Sequence, residues 1–241
     1  KNTYGTGAFL LLHTGGAPVP SHQGLLTTAA CDAKGRLAYA LEGSVFIAGA
    51  AIQWLRDGVG LLGSAAESEA MASALEDNGG VYFVPSFVGL GAPHWEPDAR
   101  GTIVGLSRGA SAGHIVRAAL EAMAFGTAEV LEAMEADSGV ATTELRVDGG
   151  AALNDWLMAF QADLIDVPVR RPSIVETTAL GAAGLAGISS GVWNTAEDFL
   201  GVQSPGKTFH PTATQGDRDH LSGEWRRAVR AAIGWARDDQ A

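Results

Sequence analysis

The chain has a single cysteine, Cys31, which excludes an intrachain disulfide and fits a reducing compartment. It has no signal peptide and no uninterrupted apolar run of about 18 residues, so nothing reads as a membrane span, and the cytoplasm is the expected location. Positive charge is scarce. Against 27 Asp and Glu stand 16 Lys and Arg, a net charge of −11, which argues against nucleic acid or an anionic membrane as the main partner. The six histidines are scattered, with no His-Glu-x-x-His pattern, so no metal ligand set is expected. Cys31 has no second cysteine to pair with and reads as a packed thiol.

What remains is a turn-rich globular composition, with 46% hydrophobic residues and 32 glycines in 241 residues. The chain opens at Lys1-Asn2-Thr3-Tyr4, already in strand-forming sequence, so a longer parent protein is expected.

The patterning predicts two strand arms over 3–13, joined at Gly5-Thr6-Gly7, and a hairpin of 24–30 with 36–42 across Asp32-Ala33-Lys34-Gly35. Helical spacing runs over 45–57 and 64–75, then strands are expected at 81–85 and 101–106. Ser111 caps a long helix to about residue 136. Strand 145–148, helix 153–165, strand 167–170 and helix 176–189 follow, and the polar stretch 203–216 leads to a last helix over 218–237. Early strands followed by strand–helix alternation predict one α/β domain over 1–241, a mixed β-sheet with helices on both faces.

Three stretches could meet a ligand. At Asp148-Gly149-Gly150, paired glycines after a strand allow a tight turn and close approach to bare backbone, and the helix beyond offers unpaired N–H groups. Asn154 lies about one helical turn further on, where an amide could read a base or a ribose. Gly5-Thr6-Gly7 is either a plain β-turn or a cradle that presents N–H groups and a hydroxyl to phosphate. Gly49 and Gln53 share one face of their helix, and a glycine there costs about 1 kcal/mol relative to alanine, so helix packing or ligand approach has to justify it.

These stretches, taken in order, resemble the C-terminal half of the FGGY carbohydrate kinases. The resemblance rests on Asn2-Thr3-Tyr4-Gly5-Thr6-Gly7, Tyr39-Ala40-Leu41-Glu42-Gly43, Ile52-Gln53-Trp54-Leu55-Arg56-Asp57, Gly89-Leu90-Gly91-Ala92-Pro93-His94-Trp95, Asp148-Gly149-Gly150-Ala151 and Thr178-Ala179-Leu180-Gly181-Ala182-Ala183. A further signature is matched by Gly101-x-Ile103-x-Gly105-Leu106, seven residues, and His114-Ile115-x-x-Ala118-Ala119-Leu120-Glu121. Within the family, the Ala-Pro-His-Trp loop and the Tyr-Ala-Leu-Glu-Gly stretch favour the branch that phosphorylates glycerol over those acting on xylulose or gluconate.

The resemblance implies an actin-like ATPase, ribonuclease-H-like domain that binds ATP with Mg²⁺. It assigns the phosphate hairpin to Thr6, further nucleotide contacts to Gly49 and Gln53, and adenosine contacts to Gly150, Ala151 and Asn154. Phe9 is implied to pack against the carbon skeleton of glycerol, while His114, Glu121 and Glu176 are read as structural. The family's general base and most substrate contacts lie in an N-terminal domain that this chain lacks, so no catalytic base and no metal ligand are expected here. Homo-oligomers of the intact protein are also expected.

Overall fold

The computed structural model describes residues 1–32, 34–201 and 206–238. Asn2–Tyr4 (β1) and Ala8–Gly15 (β2) pair antiparallel across the Gly5-Thr6-Gly7 turn, with Tyr4 opposite Ala8. Leu26–Cys31 (β3) and Leu37–Val45 (β4) extend this meander. Ala33 of the expected hairpin turn lies outside the described residues. Around it, Asp32 Oδ1 accepts from the backbone N–H groups of Lys34 at 2.8 Å and Arg36 at 3.0 Å.

The helices Gly49–Asp57 (α1) and Glu67–Ser73 (α2) come next, then a separate two-stranded ribbon of Tyr82–Val84 (β5) and Thr102–Val104 (β6). The long helix Ala112–Ser138 (α3) starts at a capping box between Ser111 and His114 and stops at Gly139, which takes φ 68. Leu145–Asp148 (β7), the helix Asp155–Ile165 (α4) and Val169–Arg171 (β8) form a crossover unit whose strands run parallel. Thr177–Ser189 (α5), Ala196–Gly201 (α6), Lys207–Phe209 (β9) and Gln215–Asp238 (α7) complete the chain.

The main sheet has seven strands in the order β3-β4-β2-β1-β7-β8-β9, parallel at β1–β7 and β7–β8 and antiparallel elsewhere. Alternation sorts its faces. Ala8 and Leu10 are buried toward α3, whereas Phe9 and Leu11 on the other face are 47% and 38% exposed. That second face meets α5 at Asp148, which is paired to Lys1 and accepts from the Thr177 hydroxyl. Helices therefore lie on both sides of the mixed sheet. Among the described residues no helix is long and apolar enough to cross a membrane.

Several boundaries differ from the sequence expectation. The helix expected from 45 begins at Gly49, because Val45 still pairs with Ala8 in the sheet and Ala48 is non-helical at φ −122 and ψ −96. The helix expected from 64 begins at Glu67. Residues 203–205 lie outside the described residues, but the rest of that polar stretch contains β9, and α6 was not expected at all. Cys31 is exposed, since β3 is the sheet's edge and buries little of either face.

The 89–95 loop is held to α3 through His94 Nε2, 3.0 Å from Glu129 Oε2. The hydrogen bond to Glu129 raises the His94 pKa, with burial opposing it. A raised pKa contributes stability below the ordinary histidine value of about 6.5, and that contribution is lost as pH climbs through the raised value. The melting-temperature advantage of the native protein over His94→Gln is therefore expected to shrink as pH rises from about 6.5. A pH-independent difference would refute this.

Candidate nucleotide cleft

The Gly5-Thr6-Gly7 turn is fixed by the first turn of α1. Thr6 O accepts from Ala48 N at 2.8 Å and Ala50 N at 3.1 Å, and Gly5 O accepts from Gly49 N at 3.0 Å. This approach tolerates no side chain at two positions: a Cβ on Gly49 would lie 2.6 Å from Gly5 O, and one on Gly7 would lie 2.6 Å from Val45 O. Packing of backbone on backbone thus explains the helical glycine, and the Gly49 amide is committed within the protein. The amide and hydroxyl of Thr6 have no protein partner among the described residues.

The two glycines after β7 differ. Gly149 has φ 85, and a Cβ there would fall 2.3 Å from Tyr4 O, so β1 and the turn meet through bare backbone. A Cβ on Gly150 would meet nothing within 4 Å. Residues Gly150–Leu153 form a 3₁₀ turn that the sequence did not reveal, and α4 begins only after it. Asn154 is the N-cap of α4: its Oδ1 accepts from Leu157 N at 2.8 Å and its Nδ2 donates to Ser68 Oγ at 3.3 Å. The start of that helix is therefore capped from within. Among the described residues, the donors left open are the amides of Gly150 and Ala151, which begin the 3₁₀ turn.

Thr6, Gly49, Gln53, Gly150, Ala151 and Asn154 line one cavity of about 510 Å³. Phe9 does not line it and stands on the open face of the sheet. Ile52, Arg56, Ser68, Glu69, Leu120 and Met123 also line the cavity, and sequence reasoning did not single them out. Helical spacing from Gly49 could have found Ile52 and Arg56, which lie on the Gln53 face. The far wall is tied to α3. Arg117 donates to Leu75 O at 2.6 Å and to Glu121 Oε1 at 2.8 Å, and Asn78 Nδ2 donates to Glu121 Oε2 at 2.7 Å. Burial pushes the Glu121 carboxyl up against the pull of these partners. His114 is likewise taken up by its capping box.

A second cavity of about 440 Å³ lies among α3, α4 and α7. Its arginines are taken, Arg218 by Asp166 at 3.0 Å and Arg226 by Glu132 at 3.3 Å. Two motif-like spacings elsewhere lack the required context. Gly201 through Gly206-Lys207-Thr208 matches a phosphate-loop pattern, yet it follows a helix and enters strand β9, the reverse of the required order, and Lys207 pairs with Asp155 at 2.5 Å. Gly105-Leu106-Ser107-Arg108-Gly109 has nucleophile-elbow spacing, but Ser107 is exposed and, among the described residues, its hydroxyl oxygen only accepts from the Gly109 amide.

The sheet order and flanking helices define an actin-like α/β domain of the ribonuclease H type. The sequence model of the FGGY family of carbohydrate kinases, C-terminal domain, matches residues 1–190, and the chain belongs to this family. It is 56% identical over 236 residues to a glycerol kinase of Trichlorobacter lovleyi, covering 98% of this chain and 48% of that protein. To a glycerol kinase of Haemophilus influenzae it is 53% identical, covering 100% of this chain and 48% of that one. Among solved structures, the glycerol kinase of Plasmodium falciparum with ADP superposes with a TM-score of 0.87 at 35% identity, covering 96% of this chain and 46% of that one. A xylulose kinase of Lactobacillus acidophilus, at 18% identity and a TM-score of 0.82 over 100% of this chain and 48% of that one, shares the fold. The chain spans about half the length of the curated relatives it matches.

Removing one partner of a buried ion pair strands the other charge, so Glu121→Ala is expected to destabilise the protein by about 3–5 kcal/mol in chemical denaturation. A loss below about 1 kcal/mol would show that Arg117 finds water or another acceptor.

Proposed function

We propose that this chain forms the nucleotide-holding half of an ATP-dependent glycerol kinase, which converts ATP and glycerol to ADP and sn-glycerol 3-phosphate. The observation that carries this reading is the convergence of open backbone donors at Thr6, Gly150 and Ala151 on a single cavity. The amide and hydroxyl of Thr6 would steady the β- and γ-phosphates. The amides of Gly150 and Ala151, with the spare N–H of Asn154, would hold the adenosine side. Gly49 and Gln53 would flank the phosphates, Gly49 by shape because its amide is occupied.

Mg²⁺ would neutralise charge developing on the transferred phosphoryl group. This chain's own donors do not suit a metal site. Among the described residues no three of His, Cys, Asp and Glu converge to hold a metal ion, and Glu69 is the one carboxylate on the cavity wall. The phosphates and groups outside this chain would have to hold the ion.

Phe9, exposed beyond the cavity, would pack on glycerol once a second domain covers that face. That N-terminal domain would supply the general base and most of the hydroxyl contacts. Phosphoryl transfer depends on positioning two oxygens and stabilising charge between them, so one wall of the cleft does not suffice. Cytoplasmic location and assembly of the intact enzyme into homo-oligomers belong to the same reading.

Calorimetry of the 241 residues with ATP and Mg²⁺ is expected to give weak binding, and a coupled assay no turnover. Glycerol phosphorylation by this chain alone would refute the division of labour, and faster turnover of xylulose than of glycerol by the parent enzyme would refute the substrate. A Cβ on Gly150 meets no protein atom within 4 Å, so Gly150→Leu is expected to melt with the native protein. Its ADP affinity should fall by about tenfold or more, because the side chain enters the space assigned to the ligand.

A further inference from the structure

Beneath the cleft runs a relay of four side chains with no solvent exposure: Asn2, Tyr4, Thr127 and Gln161 are each 0% exposed. Asn2 Nδ2 donates to Thr127 Oγ1 at 3.0 Å, and the Thr127 hydroxyl donates to the Tyr4 oxygen at 3.3 Å. The Tyr4 hydroxyl donates to Gln161 Oε1 at 2.6 Å, and Gln161 Nε2 donates to Ala124 O at 3.3 Å. Every hydrogen bond runs in the same sense, so each polarises the next. Burial raises the Tyr4 pKa to about 12, which keeps its hydroxyl a donor at working pH.

The relay's position is informative. Tyr4 is the last residue of β1 before Gly5-Thr6-Gly7, and its carbonyl is the atom that Gly149 approaches. Gln161 stands on α4, whose cap is the cavity residue Asn154. Thr127 belongs to α3, which carries the Leu120 and Met123 wall. The relay thus joins β1, α3 and α4, the elements that lead into the Thr6 turn, carry the Leu120 and Met123 wall and start at Asn154. Among the described residues it also leaves Asn2 Oδ1 buried without a partner, an unfavourable feature that apolar residues of the same shape would avoid.

We propose that Tyr4, with Thr127 and Gln161, is a positioning residue that sets the Thr6 hairpin at its working distance from the Gly150 turn. The proposal rests on the nucleotide reading of the cleft.

Its test combines ADP affinity, measured by calorimetry with Mg²⁺, and melting temperature. Tyr4→Phe keeps the ring and removes the hydroxyl, and it is expected to weaken ADP binding about five- to tenfold, the equivalent of one lost hydrogen bond. If that variant does not fold, Thr127→Val cuts the same relay and should weaken ADP binding similarly. Tyr4→Phe combined with Gln161→Leu removes both polar partners, so it should regain melting temperature while its affinity stays low. Asp163→Ala is the control for plain destabilisation, because Asp163 accepts from Thr212 N at 2.5 Å and Ala213 N at 3.0 Å away from the cleft. It should melt earlier and bind ADP normally. Native ADP affinity in Tyr4→Phe, or affinity that returns with stability in the double variant, overturns the positioning role. No ADP binding by the unmodified protein overturns the nucleotide reading, and this proposal with it.

Discussion

The cleft depends on one close approach, the carbonyls of Gly5 and Thr6 against the first turn of α1. That contact satisfies helix N–H groups that would otherwise lack partners, and it removes the need for a side-chain cap on α1. Its geometry requires glycine at 7 and 49. By using the turn's carbonyls for the helix, it leaves Thr6, a cavity-lining residue, with its amide and hydroxyl unpaired among the described residues. The same atoms that shape the turn therefore decide which of its groups are open to a ligand.

The opposite wall follows the same logic. Gly149 brings the β7 turn onto the backbone of Tyr4, and the 3₁₀ turn after it leaves two amides open. Asn154 closes α4 and reaches Ser68, so α2 and α4 meet at the cavity. The buried Arg117–Glu121 pair, with Asn78 donating to Glu121 and Arg117 to Leu75 O, ties the chain just past α2 to α3. Each wall is set by a close backbone approach, with buried polar side chains behind it.

Much of this was legible in the sequence. Alternation in 3–13 and the glycines between its arms gave the hairpin, and periodicity in 111–136 gave the long helix. Failures came where a local pattern had two readings. Val45 and Ile47 fit helical spacing, but ladder pairing to Ala8 held Val45 in a strand. Lys207–Phe209 is a three-residue edge strand in a polar stretch, too short to show a period. The six residues proposed to meet the nucleotide were grouped through family resemblance, because a glycine required for packing and one facing open space look the same in a sequence. Only coordinates separate Gly149 from Gly150. Ser68 and Glu69 carried no signal, since their place in the cavity depends on how α2 is tied to α3 and α4.

The bridge from Asn154 to Ser68 has a thermodynamic consequence. It joins α2 to α4 at one wall of the cavity, so the protein's own groups hold that stretch of the wall. A ligand entering there then orders little additional chain, and less of the contact energy is lost to conformational entropy.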